Sequence, residues 1–349
     1  MGKYPKVVIN LQHLRENAAE VVKRCAECGI EVVGVMKGAN GIPEVSRAYA
    51  DGGVSAIGSS RLDQLQAARD AGIKKPMMVI RTSMLSEAED VVRISDISLE
   101  SELEVIEALN VEAGRQGKVH NVILMLEVGD LREGWYDMDE LCEAALYIEK
   151  SLDNIYLMGL GVNVGCYGAI VPTADKLQEL VDAAEKIESV IGRKLDILSG
   201  GASTSLMRVW DGDMPERINQ VRIGGEIMMN FTNRVVYGYD MSSMHTDVFR
   251  LQAEVISVRQ IAGGQRLMLF MGSIDCGNPD DLLMPGDSFR LSGASCDCIS
   301  LDVTESSRTY AVGDIIDFPL RYSPLVFITK SKCVKIEFLT NNCQELNNG

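Results

Sequence analysis

The chain has 349 residues, of which 24% are charged and 46% belong to the hydrophobic set, a balance typical of globular proteins. Its formal net charge of -16 argues against nucleic acid and against an anionic membrane surface as partners. No stretch approaches the roughly 18 consecutive apolar residues of a membrane span, and no signal-peptide core follows Met1. We therefore expect a cytoplasmic protein with one large domain and a smaller one.

The cysteine and histidine content limits two further classes of site. Nine cysteines in a chain of this size indicate a reducing compartment rather than a disulfide framework. The three histidines, His13, His120 and His245, are scattered along the sequence. We therefore expect no metal site built from histidines.

The first two thirds of the chain alternate short apolar runs with segments that carry apolar residues at helical spacing. A first strand is predicted over residues 6–14 and a helix from about Arg15 to Cys28. Eight further strands are predicted at residues 31–37, 54–58, 77–81, 96–99, 121–128, 155–163, 195–200 and 220–224. Strict alternation indicates parallel pairing, and eight such units favour a closed (β/α)8 barrel. A doubly wound open sheet is the second possibility, but no Gly-x-Gly-x-x-Gly follows the first strand.

Beyond Phe231 the pattern changes to alternating strands without intervening helices. These strands are predicted at residues 248–258, 266–271, 289–291, 299–303, 315–320 and 326–328, with Gly and Pro turns between them. We therefore expect a barrel over residues 1–235 and a C-terminal all-β domain over residues 236–349. Residues 1–14 can pair either within the barrel region or with the β domain. The Asn-rich tail after Leu339 is expected to fray.

The first barrel strand ends in Lys37, which follows a valine-rich run and precedes a Gly/Ala/Asn turn. A strand-end amine above apolar residues can become a nucleophile. The alternative is a lysine whose amine simply reaches solvent. Active sites of such barrels are built at the carboxyl ends of the strands, so the other strand ends decide between the two readings.

Polar residues follow four other predicted barrel strands. They lie in residues 129–134 after the fifth strand, at Asn163 after the sixth, in residues 199–205 after the seventh and in residues 222–225 at the eighth. Glycine- and hydroxyl-rich turns after strands seven and eight are the usual phosphate site of this fold. A lysine facing that site across the barrel mouth indicates a phosphorylated carbonyl cofactor held as a Schiff base, which is pyridoxal phosphate. Each signal alone has an ordinary structural explanation, and only their joint placement at one rim of the barrel favours this cofactor.

These segments resemble the alanine racemase superfamily, the fold-type III pyridoxal-phosphate enzymes, and within it the ornithine/alanine racemase-like branch. The similarity covers nearly the whole chain, a barrel followed by a β domain. It is carried by residues 35–41, 127–134, 159–163, 199–203, 222–225 and 293–298.

The resemblance implies a role for each matching residue. Lys37 would be the Schiff-base lysine and one acid/base, and Arg222 would face the pyridine nitrogen without giving it a proton. Arg132 would lie near the cofactor's phenolic oxygen or the substrate carboxylate, and Asn163 would pack against the ring. Other expected cofactor-binding residues are Ser199, Gly200, Ser203, Thr204, Gly224, Gly225 and Tyr322. The alternative for Tyr322 is a half-buried strand tyrosine.

The chain departs from the family where the second acid/base is expected. In alanine racemases this is a tyrosine early in the β domain, contributed by the other subunit, but residues 254–265 contain no tyrosine. The branch usually has Ser-Ser-Asp-His where this chain has Ser295-Cys296-Asp297-Cys298. Cys298 or Cys296 is therefore a candidate second base, the alternative being a small buried apolar residue. Asp297 could anchor the side-chain amine of a diamino acid or form a structural ion pair.

The resemblance therefore implies a pyridoxal-phosphate-dependent amino-acid racemase that acts on a basic amino acid such as ornithine, or on lysine or alanine. A homodimer is expected because a half-built site on the barrel rim needs a β domain to complete it. The missing tyrosine leaves two alternatives open. They are a one-base lyase or decarboxylase on the same scaffold and a non-catalytic pyridoxal-phosphate-binding protein.

Overall fold

The computed structural model describes residues 2–165, 170–304, 306 and 308–339. The first element is strand β1 (Lys6–Asn10). Helix α1 (Leu11–Glu27) follows directly. The side chain of Asn10 caps α1 by accepting a hydrogen bond from the His13 N–H at 3.0 Å. This cap ends the strand at Asn10 and starts the helix at Leu11, earlier than the sequence predicted.

Eight parallel strands close into a barrel. They are β2 (Glu31–Val35), β3 (Ala56–Ser59), β4 (Met77–Val79), β5 (Ile97–Glu100), β6 (His120–Leu126), β7 (Ile155–Val162), β8 (Ile197–Ser199) and β9 (Gln220–Ile223). The barrel closes because β2 pairs in parallel with both β3 and β9. Alternate residues of the strands form one buried apolar cluster, as in a filled barrel interior. The predicted (β/α)8 barrel is confirmed.

A helix follows each barrel strand, and all but the last helix connect one barrel strand to the next. They are α2 (Pro43–Asp51), α3 (Leu62–Asp70), α4 (Ala88–Ile94), α5 (Leu103–Arg115), α6 (Met138–Ser151), α7 (Ala174–Ile191), α8 (Leu206–Asp211) and α9 (Gly225–Met229). In α7, for example, Leu177, Leu180, Val181 and Ala184 are buried at the spacing of one helix face. Within the described part of the chain, no helix is long and apolar enough to cross a membrane.

The C-terminal region is a mainly antiparallel sheet that includes β1. Its other strands are β10 (Phe249–Ile261), β11 (Gly264–Leu269), β12 (Phe289–Ala294), β13 (Ile299–Thr304), β14 (Ile315–Pro319) and β15 (Lys335–Leu339). The strand order is β12-β13-β11-β10-β1-β15, and β14 pairs with β10. β1 is antiparallel to β10 and parallel to β15. The predicted β region is confirmed, whereas the boundary between residues 235 and 236 stays a prediction.

Two short helices, α10 (Ser273–Cys276) and α11 (Tyr322–Ile328), lie in the β region. The predicted strand at residues 326–328 is wrong, because these residues belong to α11. Leu325 and Ile328 are both fully buried and three residues apart, which is the spacing of a helix face. A short apolar run does not by itself distinguish the two structures. The tail after Leu339 lies outside the described residues.

Candidate active site

A cavity of about 350 Å³ lies at the carboxyl ends of the barrel strands, a size typical of small-molecule sites. Its wall consists of Val35, Lys37, Ile80, Arg132, Asn163, Gly165, Ala202, Ser203, Thr204, Arg222, Gly224, Gly225, Glu226, Met229, Phe231, Thr232 and Tyr322. Most of the predicted cofactor-binding residues are therefore brought together. They come from five barrel strand ends and from α11 of the β region.

Lys37 is half-buried in the cavity wall and begins a short 3-10 turn, Lys37–Ala39. Strand β2 ends at Val35, two residues before its predicted end, because the backbone already turns at Met36 (φ -97, ψ 2). The lysine is nevertheless carried by the first residues after the strand. Its amine is thus presented at the barrel mouth.

The Lys37 turn is tied to helix α11. The side-chain amide of Asn40 donates hydrogen bonds to Val326 O and Thr329 Oγ1, both at 2.7 Å. Gly38 permits close contact, because a Cβ at this position would lie 2.7 Å from the Tyr322 ring. The lysine turn and the Tyr322 side chain are therefore fixed relative to each other. Tyr322 lies in helix α11, not in a strand, which was the alternative expected for it.

Arg222 lies on β9 and is only 4% exposed. Its Nη1 donates to Ser199 Oγ at 2.5 Å, and its Nη2 donates to Val162 O at 2.7 Å and to Asn163 Oδ1 at 2.9 Å. The Ser199 hydroxyl in turn donates to Gln220 Oε1 at 2.9 Å. A guanidinium is a donor only, so these acceptors hold a fixed positive charge at the inner end of the cavity.

Two predicted cofactor-binding residues have a different place. Among the residues that the structure describes, the cavity wall does not include Ser199 or Gly200. Ser199 is fully buried and contacts Arg222 instead. A Cβ at Gly200 would lie 2.6 Å from the Ile218 side chain, so this glycine allows close packing. The structure therefore gives Ser199 a supporting position and Gly200 a packing position, rather than the predicted direct contact.

A hydrogen-bond chain joins the two arginines of the site. Asn163 accepts from Arg222 through Oδ1, and its Nδ2 donates to the Glu133 carboxylate. Arg132 Nη2 donates to the same Glu133 oxygen, Oε1, at 2.6 Å. The Glu133 side chain is 12% exposed and that of Arg132 is 26% exposed. The sequence motifs predicted a role for each of the other three residues but none for Glu133, although it lies in the motif after the fifth barrel strand.

The loop that carries Arg132 is held by Glu127. Its Oε1 accepts from the Gly129 N–H at 2.5 Å, and its Oε2 accepts from the Arg132 N–H at 3.1 Å. Gly134 has a φ of +123°, and a Cβ there would lie 2.6 Å from the Glu127 nitrogen. Only glycine fits this position, which brings the end of the loop back to the end of β6.

The turns after β8 and β9 meet at one end of the cavity. Gly224 N–H donates to Ser203 Oγ at 3.3 Å, and Thr204 Oγ1 donates to Val164 O at 2.8 Å. A Cβ at Gly224 would lie 2.8 Å from Val35 O, so the backbone there approaches its neighbour closely. Hydroxyl groups and backbone thus form a polar cup at these two turns.

Glu226, at the first turn of α9, is a wall residue that the sequence did not reveal. It is 1% exposed, and its Oε1 accepts from the N–H groups of Thr232 at 2.9 Å and Asn233 at 3.3 Å. Burial raises the pKa of Glu226, which favours its neutral form. Phe231 and Thr232 complete this part of the wall and likewise belong to no motif.

The predicted catalytic residues of the β region lie in the turn between β12 and β13. Asp297 N–H and Cys298 N–H donate to Ser295 Oγ at 3.3 and 3.0 Å. Cys296 is exposed and Cys298 half-exposed. In the described part of this chain, the cavity wall includes neither cysteine nor Asp297. A catalytic role for them therefore needs a second copy of the chain.

A parallel barrel with a cavity at its mouth, followed by a β region that contributes one helix to that cavity, is the architecture of a barrel enzyme. Residues 9–230 match the family model described as "Alanine racemase, N-terminal domain". The chain belongs to this family.

Curated relatives and solved structures agree with this assignment. The chain is 33% identical to the ornithine racemase of Acetoanaerobium sticklandii over 96% of its own length and 100% of that protein. It is 34% identical to the lysine racemase of Thermotoga maritima, over 93% of this chain and 95% of that protein. The fold is shared with an alanine racemase of Clostridium difficile 630 in complex with cycloserine, with a TM-score of 0.79, 18% identity and coverage of 98% and 97%. It is also shared with D-threo-3-hydroxyaspartate dehydratase from Delftia sp. HT23, with a TM-score of 0.73, 16% identity and coverage of 94% and 92%.

Proposed function

We propose that the protein is a pyridoxal-phosphate-dependent racemase of a basic amino acid, with ornithine as the first substrate to test. The observation that carries this proposal is the meeting of Lys37, buried Arg222 and the Ser203–Gly224 cup in one cavity. The similarity to an ornithine racemase and a lysine racemase over nearly full length supports the substrate class. The lyase and carrier alternatives have no comparable support. A cytoplasmic location stays a prediction.

The residues around the cavity fit pyridoxal phosphate. Ser203, Thr204 and the backbone of Gly224 and Gly225 would hold the phosphate, and Lys37 would hold the carbonyl carbon through its amine. Polar groups and a close backbone approach at the cup match a phosphate, which binds to hydroxyl and N–H donors. When bound, the cofactor draws electrons from the substrate Cα and makes its proton acidic.

The buried arginine supports simple removal and return of the Cα proton. A guanidinium stays protonated, so Arg222, whose Nη atoms are held by oxygen acceptors, would not transfer a proton to the ring nitrogen. With that nitrogen unprotonated, the ring would withdraw electrons less strongly, and Arg222 would thereby favour return of the proton over elimination. Lys37 Nζ would take and return the proton on one face. Arg132 would orient the substrate carboxylate, a partner for which a guanidinium is well shaped.

The other face of the substrate needs a second proton donor, and the three candidates of the β region lie outside the cavity wall in the described part of their own chain. We assign this role to Cys298 of the partner subunit, with Cys296 of the partner subunit as the second candidate. Asp297 of the partner subunit would pair with the side-chain ammonium of ornithine or lysine. This arrangement requires a homodimer whose active sites contain groups from both subunits.

The reaction is tested by incubating the cofactor-loaded protein with L-ornithine, L-lysine and L-alanine in deuterium oxide. NMR measures Cα exchange, and chiral chromatography measures the D-product. The proposal expects exchange and D-product with ornithine or lysine. Absence of both with all three substrates, while cofactor is bound, would refute it. Release of carbon dioxide, aldehyde or keto acid would identify a lyase instead. Lys37→Ala should lose activity and the visible absorption of the lysine-bound cofactor.

The shared active site is tested by subunit complementation. Lys37→Ala and Cys298→Ala subunits are each expected to be nearly inactive alone. Random mixing places one intact site in each mixed dimer, so about a quarter of wild-type activity should return. If both residues acted within the same subunit, mixing would restore no activity. That result would exclude a site built from two chains.

A further inference from the structure

Outside the cavity, helix α1 and the segment before β10 bring four chemically active side chains together. His13 and Glu16 lie on α1, and His245 and Asp247 lie just before β10. The sequence predicted no histidine-built metal site because these residues are far apart along the chain. The fold places His13 and His245 side by side, with ring centroids 3.8 Å apart and ring planes 7° apart.

Each histidine of this His13–His245 cluster has a carboxylate partner. His13 Nδ1 lies 2.8 Å from Asp247 Oδ1, and His245 Nε2 lies 2.7 Å from Glu16 Oε2. The Glu16 pKa is lowered, first by the hydrogen bond from Gln12 and further by both histidines. One ligand atom from each of His13, His245 and Asp247 lies within 4.8 Å of the others. These three residues can share one metal ion if the two rings rotate out of their stack, so that their in-plane nitrogen lone pairs converge.

The backbone beneath the cluster is held by a buried asparagine. Asn17 is fully buried; its Oδ1 accepts from His245 N–H at 2.7 Å, and its Nδ2 donates to His245 O at 2.9 Å. The His13 N–H donates to the side chain of Asn10, and Asn10 N–H donates to Val248 O at 2.8 Å. Both histidines therefore stand on backbone that is fixed by hydrogen bonds between α1 and the β10 approach.

We propose that His13, His245 and Asp247 bind one divalent transition-metal ion, with Glu16 as the carboxylate that orients His245. Imidazole nitrogens favour Zn²⁺, Co²⁺ or Ni²⁺ over Mg²⁺ and Ca²⁺, which prefer oxygen ligands. A carboxylate on the far nitrogen of a histidine ligand is the usual supporting arrangement. The ion would link α1 to the segment that enters the β region. This site is independent of the proposed racemase reaction.

The probe for the test is Co²⁺, added to protein that has been treated with a chelator and then freed of it. We expect one Co²⁺ per chain by equilibrium dialysis and weak visible bands of nitrogen and oxygen ligands. Thiolate coordination gives intense near-ultraviolet bands, so the exposed thiols, such as Cys28 and Cys333, are distinguishable as a source of binding. Binding should weaken as the pH falls, because protons compete with the metal for imidazole nitrogens.

The variants His13→Ala and His245→Ala should each reduce Co²⁺ affinity by at least about tenfold, and Asp247→Asn should also weaken binding. Asp240→Asn is the matched control, since Asp240 is an exposed acid of the same connecting segment, and it should bind like wild type. Circular dichroism checks folding. Anomalous diffraction from wild-type crystals at the cobalt edge provides a test without substitution and should show the ion bound to a nitrogen of each imidazole. The proposal would be overturned by a lack of stoichiometric binding, by thiolate bands, or by binding that survives both histidine substitutions.

Discussion

The carboxylate of Glu133 offers the sharpest test of how the active site is positioned. Glu133→Gln keeps the side-chain size but removes the charge that accepts from Arg132 at 2.6 Å and from Asn163. Hydrogen bonds to charged groups contribute about 1.5–3 kcal/mol. Partial exposure of both side chains, 12% and 26%, screens the ion pair and lowers that figure. We expect a loss of about 1–2 kcal/mol in transition-state binding, or roughly 5- to 30-fold in kcat/KM.

The assay is steady-state racemisation of L-ornithine, followed by circular dichroism, with cofactor affinity measured in parallel. Cofactor affinity should change less than kcat/KM, because the polar cup at Ser203 and Gly224 does not involve Glu133. Glu140→Gln is the matched control, since Glu140 is exposed on α6. A kcat/KM within about twofold of wild type would refute the positioning role of Glu133.

Three further substitutions test buried groups around the barrel. Ser199→Ala removes the acceptor 2.5 Å from Arg222 Nη1 and should lower the free energy of unfolding, measured by urea titration, by about 1–3 kcal/mol. Cofactor affinity should change little, whereas unchanged stability with a large loss of cofactor affinity would indicate direct cofactor contact. Burial raises the pKa of Glu100 from 4.5 to about 7, so the folded state loses stability as the pH rises from about 4.5 to 7. Relative to Glu100→Gln, wild type should lose on the order of 3 kcal/mol between pH 4 and 8, and parallel pH profiles would contradict this. Burial lowers the pKa of His120 from 6.5 to about 4, so the contribution of this histidine to the free energy of unfolding is lost as the pH falls from 6.5 to 4. His120→Gln should therefore flatten the acid side of the profile of stability against pH, measured by urea unfolding.

The architecture was predictable because it depends on patterns that are local in the sequence. Alternation of buried strands and amphipathic helices indicates parallel pairing whatever the details of each loop. Errors occurred where a single contact decides the outcome. The Asn10 cap ends β1 early, and helix α11 replaces a predicted strand because Leu325 and Ile328 are buried on one helix face. Strand β15 was missed, and its place depends on parallel pairing with β1 at the other end of the chain.

The candidate site was predictable to the extent that strand ends reveal it. Lys37, Arg132 and Arg222 follow or end predicted strands, and barrel closure brings strand ends to one rim. Glu133 could not be assigned a role, because its importance lies in contacting two residues from different loops. The His13–His245 pair was hidden for the same reason, since a sequence does not show which distant segments meet.

The thiol of Cys298 makes the two-base reaction separable into its halves. If Lys37 serves one face of the substrate and Cys298 of the partner subunit the other, Cys298→Ala should leave Lys37 able to remove and return a proton on its own face. In deuterium oxide, the enantiomer whose Cα hydrogen faces Lys37 should therefore still exchange with retention of configuration.

Inversion, in contrast, should fall by about 10²- to 10⁴-fold, the usual contribution of a positioned acid or base. Cys333→Ala is the control, because Cys333 is an exposed thiol of the same region. Chiral chromatography measures inversion, and NMR measures exchange, on the same samples. Unchanged inversion in Cys298→Ala would exclude Cys298 and leave Cys296 as the candidate thiol. Loss of exchange with both enantiomers would contradict the independent action of Lys37 on its own face. Exchange without inversion in Cys298→Ala is explained only if the wild-type enzyme has a second proton donor that is separate from Lys37.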